Sequence, residues 1–309
     1  MPNYVEPFAG SLAVLLGRPT DPRNEIVNDI DCYVANAWRA VKESPDEVAA
    51  YCDWPVNEAD LHARHYWLHN QIEFRTRMGH DPDYYDAKIA GWWIWGLSCW
   101  IGDNFCRPRQ QASLPHLTGG KGVARQVPHL TGGKGDRGVN ARRLRNDESP
   151  SASPDGRSRS GSQSANLADW FAVLSDRLRF TKIVCGDWHR VLTKAATFGQ
   201  GFTGVLLDPP YDTDGHDDVY GELSRGISAK VRDWAVANGD NPLLRIALCG
   251  YDGEHEMPED WECVAWKAAG GYGSQNRAGN DNALRERIWF NPACLSDQKN
   301  MPLFAELAL

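Results

Sequence analysis

The chain has 309 residues, 42% hydrophobic and 24% charged, with a formal net charge of −8. That is the balance of a soluble globular protein with length for one large domain or two smaller ones, and the acidic total speaks against a nucleic-acid coat protein. The densest apolar run, IAGWWIWGLSCWIG at 89–102, falls short of the roughly 20 residues a membrane span needs, and no secretory signal opens the chain.

Residues 4–16, YVEPFAGSLAVLL, read as a strand, a tight turn of small residues and the start of a helix. Ile26 and Val27 then lead into Asn28-Asp29, a second strand ending in an acid. The stretch CYVANAWRAVKESPDEVAAYC (32–52) has helical spacing interrupted near Pro45. This β-α-β-α opening points to a doubly wound α/β sheet. From 57 to 105 the pattern becomes aromatic-rich and helical, with no strand, and Trp92, Trp93, Trp95 and Trp100 are expected to pack a core.

Residues 107–165 read as a long insertion without structure. PHLTGGKG occurs at 115–122 and again at 128–135. NDESPSASPDGRSRSGSQS (146–164) has almost no apolar residue to offset its ordering entropy. Neither GGKG copy satisfies the phosphate-loop pattern, because Gly122 and Gly135 follow the lysines. Between Arg107 and Arg159, eleven Lys/Arg stand against four Asp/Glu, so this segment carries +7 and the rest of the chain −15. Such a strip is either a phosphate-binding arm or a solvated loop.

The α/β pattern then resumes. NLADWFAVLSDRLR (166–179) is an amphipathic helix, FTKIVCGD (180–187) a strand ending in Asp187, and VLLDPPY (205–211) the next strand. A helix over roughly Leu223 to Asn238, a strand LLRIALCGY (243–251) and a closing antiparallel pair, WECVAWKA (261–268) and RERIWFNP (285–292), follow. The expected fold is α/β, a Rossmann-like doubly wound sheet from residues 1–56 and 166–309, with a helical section at 57–106 and the loop at 107–165 inserted. The eight cysteines form no C-x-x-C pair and no zinc-spaced His/Cys group, so no metal is expected. They read as reduced, mostly buried thiols of a cytosolic protein.

Three strands thus end in an acid followed by a turn, at Asp29, Asp187 and Asp208, and a fourth ends in Phe8-Ala9-Gly10-Ser11. Ligands of open α/β sheets bind outside the carboxyl ends of the strands, so the four features converge on one crevice. A strand-end Asp alone is often just a helix cap; four such ends in this order mark a site. Pro209 and Pro210 stop the strand and present Asp208 and the Tyr211 ring on a rigid hinge. The acidic DTDGHDD that follows (212–218) lacks metal-ligand spacing and reads as a solvated rim.

YVEPFAGS, NDID and LLDPPY resemble the motifs of Dam-type DNA adenine-N6 methyltransferases, which use S-adenosyl-L-methionine. The resemblance covers 4–42 and about 180–292, and GGYGSQNRAGNDNALRERIWFNP (270–292) is similar to the end of phage-encoded members. It implies Phe8, Ala9, Gly10 and Ser11 against the methionine part of the cofactor, Asp29 on the ribose hydroxyls and Asp187 on the cofactor's adenine amine. Asp208 and the Pro209 carbonyl would accept the two N–H bonds of the target amine, Pro210 would stiffen the loop, and Tyr211 would stack on the base. The implied partner is double-stranded DNA with a flipped adenine, in a bacterial or phage-infected cytoplasm, with the helical section available for target recognition. A companion restriction nuclease stays open. The chain departs from the family pattern in three places: the W-x-G-G-K-type segment that members carry has no counterpart ahead of Tyr4, Leu12 stands where a second small residue is common, and the insertion does not read as the family's usual target-recognition domain. Two further readings are a methyltransferase acting on another amine, RNA adenine or DNA cytosine-N4, and a catalytically weak DNA-binding remnant.

Overall fold

The computed structural model describes residues 1–18, 24–100, 105–106, 161–211, 226–265 and 285–295. Strand β1 (Asn3–Glu6) is buried along its whole length, and β2 (Asn24–Asp29) from its second residue onward. Full burial on both faces is what a central parallel strand experiences, because its crossover helices cover both sides. With β3 (Thr181–Cys185), β4 (Thr203–Leu207), β5 (Leu244–Tyr251), β6 (Glu262–Ala265) and β7 (Glu286–Phe290), they form a seven-stranded sheet in the order β3-β2-β1-β4-β5-β7-β6. Strands β1 to β5 are parallel, and β7 runs antiparallel between β5 and β6. Val5 pairs with Ile26 on one side and Val205 on the other, so β1 lies where the winding reverses direction. That is the topological switch point, and its crevice opens at the carboxyl ends of β1 and β4.

The helices are α1 (Ala13–Gly17), α2 (Cys32–Glu43), α3 (Pro45–Cys52), α4 (Glu58–His69), α5 (Ile72–His80), α6 (Ala87–Cys99), α7 (Gly161–Leu178), α8 (Ile227–Asn238) and α9 (Pro292–Leu295). Short 3-10 turns span Trp188–Val191 and Phe198–Gln200. Asp31 caps α2 by accepting from the Tyr33 amide, and Pro45 opens α3, which is why the helical pattern breaks there. Helices α2 and α3 pack on α6, and α7 packs on α2 and α3.

One core lies beneath the sheet, where Val5, Val205, Ile246 and Leu248 meet Trp188, Val231 and Trp289. Another fills the helical section, where Tyr33, Leu68, Phe74, Met78 and Ile89 pack together with Trp92, Trp93 and Trp100 against them. Trp95 is buried and its indole N–H donates to the Trp54 carbonyl. The tryptophans of 57–106 therefore build a core. Helix α7 begins at Gly161, five residues inside the expected loop, because a helix already formed, here packed from Leu167 onward, extends toward its N-terminus at one hydrogen bond per added residue. Most of 107–165, the DTDGHDD rim and most of 270–292 lie outside the described residues. Among the described residues no helix is long and apolar enough to cross a membrane.

Candidate active site

The site has two poles at the carboxyl edge of the sheet. The first is the turn after β1. The Ala9 amide donates to the Asn28 carbonyl at 2.8 Å, and the Leu12 amide to the Ala9 carbonyl at 2.8 Å. Gly10 sits at φ +46°, and a Cβ there would meet nothing within 4 Å. Glycine adopts the left-handed backbone without strain, and its bareness leaves open space above the peptide. Ser11 is exposed beside it. Leu12 also adopts a left-handed conformation, φ 53°, with its side chain fully buried. A residue with a Cβ pays a strain cost in this conformation, which the burial of its side chain offsets.

Asp29 joins this turn to the end of β2. Its Oδ2 accepts the Gly10 amide at 3.0 Å and its Oδ1 the Asp31 amide at 2.8 Å. Burial pushes its pKa up to about 6, while those backbone N–H groups pull it back. Each carboxylate oxygen still has acceptor capacity for an incoming hydroxyl. Asn28 stitches the neighbouring ends, donating to the carbonyls of Pro7 at 2.9 Å and Gly186 at 3.0 Å. Its buried Oδ1 has no partner among the described residues. From α2, the Trp38 indole donates to the Gly10 carbonyl at 2.9 Å.

Asp187 follows β3 and Gly186. It caps the turn at Trp188–Val191, accepting the His189 amide at 2.9 Å, and its carboxylate stays exposed. The plain capping role therefore operates, and acceptor capacity remains. Phe8 is half-buried and stacks on Trp188, ring centroids 6.2 Å apart.

The second pole is the end of β4. The Asp208 residue is exposed by surface area, yet the protein crowding its carboxyl raises its pKa, partly offset by a hydrogen bond from Tyr211. That bond runs from the Tyr211 hydroxyl to Asp208 Oδ1 at 2.9 Å. Pro209 is buried and Pro210 half-buried. The Tyr211 ring meets Tyr251 edge to face, centroids 4.6 Å apart, so it is held from two sides.

Glu6 and Tyr4 stand between the poles and were not among the expected site residues. Glu6 is 4% exposed and accepts the Tyr4 hydroxyl at 3.0 Å. Burial pushes its pKa up to about 8, and the negative charge of Asp208 adds to the rise. The signal in the sequence was a glutamate two residues after a tyrosine inside a strand, which puts both on one face; charged groups in central strands are rare and paired. Phe8, Ala9, Gly10 and Asp29 thus come together directly, Asp187 joins them through Gly186 and Trp188, and Asp208 to Tyr211 form the facing pole across Glu6. Among the described residues no group of three or more His, Cys, Asp and Glu side chains is placed to hold a metal.

A mostly parallel sheet with a Gly turn after its first strand, acids at the end of its second and after its third, and Asp-Pro-Pro-Tyr after its fourth is consistent with a Rossmann-like methyltransferase fold. Residues 1–86 match the family model for D12 class N6 adenine-specific DNA methyltransferases. Over those residues the chain is similar to a family whose members methylate adenine N6 in DNA, and the match includes the Gly10 turn and Asp29. No curated protein matches the chain.

Proposed function

We propose that the protein transfers a methyl group from S-adenosyl-L-methionine to N6 of an adenine flipped out of duplex DNA, in a bacterial or phage-infected cytoplasm. The observation that carries this reading is the Asp208-Pro209-Pro210-Tyr211 hinge facing the Gly10–Asp29 turn across the switch point.

The residues of the first pole suit the cofactor. Gly10 offers open space to the methionine part, Asp29 keeps acceptor capacity for ribose hydroxyls, and Asp187 presents an exposed carboxylate to an exocyclic amine. When bound, S-adenosyl-L-methionine supplies an electrophilic methyl on sulfur. Phe8, held by Trp188, forms an apolar wall for it.

At the second pole the chemical need is to make an aromatic amine nucleophilic. Its lone pair is delocalised into the ring. Asp208 accepts one N–H and the Pro209 carbonyl the other, which favours a pyramidal nitrogen with its lone pair aimed at the methyl. That is positioning and electrostatics without a covalent intermediate. Entry of the base exchanges the Tyr211 hydroxyl for an amine N–H at Asp208, and frees the ring to stack, worth roughly 1–3 kcal/mol on single-strand platforms. The base leaves the duplex to reach this depth.

The helical section is our candidate for target recognition. Trp67 and Trp92 of this section, with Tyr51 and Trp54 from the segment just before it, line a recess of about 600 Å³, with the buried Arg64 guanidinium 4.3 to 5.0 Å from the rings of Trp54, Trp92 and Trp95. A phage setting rests on the resemblance of 270–292 alone.

The test is methyl transfer from tritiated S-adenosyl-L-methionine to duplex DNA lacking adenine methylation. Label in N6-methyladenine is expected. Label only in RNA or cytosine, or no cofactor binding at all, overturns the reading.

A further inference from the structure

Two thiols distant in sequence meet beneath the first pole. Cys32 is the first residue of α2, directly after its cap Asp31, and Cys185 is the last residue of β3, paired in register with Asp29. Their sulfurs are 3.7 Å apart, with Cys185 donating to Cys32. Cys185 is 3% exposed, whereas Cys32 is half-buried and reachable. We propose that Cys32 and Cys185 are a redox-active pair, which a peroxide-class oxidant closes into a disulfide, and that closure loosens the Asp29 turn above it.

The surroundings favour Cys32 as the attacking sulfur. The hydrogen bond from Cys185 lowers its pKa most; the Arg75 guanidinium also lowers it, while burial and Asp31 oppose. The amino end of a twelve-residue helix adds positive potential. At Cys185 the hydrogen bond to Cys32 raises the pKa most, burial and Asp29 add to the rise and Arg39 opposes it, so the thiol stays protonated, which suits a resolving partner. In the first step the Cys32 thiolate attacks a peroxide oxygen; the O–O bond breaks, Cys32 becomes a sulfenic acid, and the departing oxygen leaves as water after taking a proton. In the second step the Cys185 sulfur attacks the Cys32 sulfur, the S–O bond breaks, and hydroxide leaves as a second water with the Cys185 proton. Two thiols lose two electrons and one peroxide gains them.

A disulfide needs sulfurs about 2 Å apart, so one side must move. The end of β3 is pinned: the Gly186 amide donates to the Asp29 carbonyl at 3.0 Å and Arg190 to the Cys185 carbonyl at 2.9 Å. The first turn of α2 therefore moves. It carries Asp31, whose amide holds Asp29 Oδ1. The effect on cofactor affinity rests on the role proposed above for Asp29; the cross-link does not.

The test oxidises the full-length chain with hydrogen peroxide and maps disulfides by mass spectrometry. A peptide joining Cys32 to Cys185 is expected, lost in Cys32→Ser, while Cys185→Ser accumulates a mixed disulfide at Cys32 when glutathione is present. No cross-link, or one joining Cys32 to the neighbouring Cys106, overturns the pairing. Hydrogen exchange at the Gly10 and Asp31 amides should quicken about tenfold on oxidation and recover with dithiothreitol; unchanged exchange overturns the loosening. S-adenosyl-L-methionine binding should weaken about tenfold in parallel. A reduced chain that never binds the cofactor fails the function proposed above, while the cross-link and exchange results still decide the redox pair.

Discussion

At neutral pH Glu6 is largely a neutral acid, because burial has moved its pKa from an ordinary 4.5 up to about 8. The sign of its effect follows. The folded state holds this proton more tightly than the unfolded chain, so its favourable contribution is fully present below about pH 4.5 and is lost as pH rises through about 8. Glu6→Gln keeps an acceptor for Tyr4 and removes the titration. Its melting temperature should fall less than the parent's between about pH 5 and 9; equal slopes would contradict the assignment. Asp208→Ala should lower methyl transfer on the order of a thousandfold or more while cofactor affinity, measured by calorimetry, stays near the parent value. Leu12 sets burial against backbone conformation. Its buried side chain is worth about 2–5 kcal/mol against Ala, and its left-handed φ costs roughly 1–2 kcal/mol. Denaturant unfolding should therefore rank Leu12→Gly at or above Leu12→Ala in stability, the reverse of the order expected inside a helix.

Between elements, Glu25 on β2 is the main polar fastening. It is fully buried and bonded by Arg18 from beyond α1, by Arg177 of α7 at 2.7 and 3.0 Å and by Thr181 of β3 at 3.0 Å. Arg177 also donates to the Leu15 carbonyl of α1 at 2.7 Å. Removing the shared carboxylate leaves two inward-facing cations unpaired, so Glu25→Ala should cost about 3–5 kcal/mol in chemical denaturation. Nothing local in NEIVND announced this role, because the partners come from 7 residues before it and 152 and 156 after it. The elements themselves were legible. The Pro45 break, the aromatic helices and the acid-tipped strands are short-range patterns, written in periodicity and proline chemistry. The start of α7 was not, since its first residues carry loop composition and follow a helix nucleated by packing further along.

Across the molecule, a basic segment of net +7 is joined to a body of −15. If residues 107–159 grip phosphates, their deletion should weaken DNA binding and flatten the dependence of log affinity on log salt; an unchanged slope in a salt titration would reduce the segment to a connector. The sequence by itself determined the α/β class, the acids at the strand ends and the Asp208-Pro209-Pro210-Tyr211 hinge, because alternation, strand stops and turn residues are encoded within a few neighbours. Tertiary structure alone decided what those groups do to one another. The sheet order brings Glu6 between the two poles, folds the Gly10 amide onto Asp29, turns the Tyr211 hydroxyl onto Asp208 and sets the Cys32 and Cys185 sulfurs side by side. These are contacts across strands, and burial changes the protonation of the acids involved; neither distance nor dielectric is written in a residue's own neighbourhood.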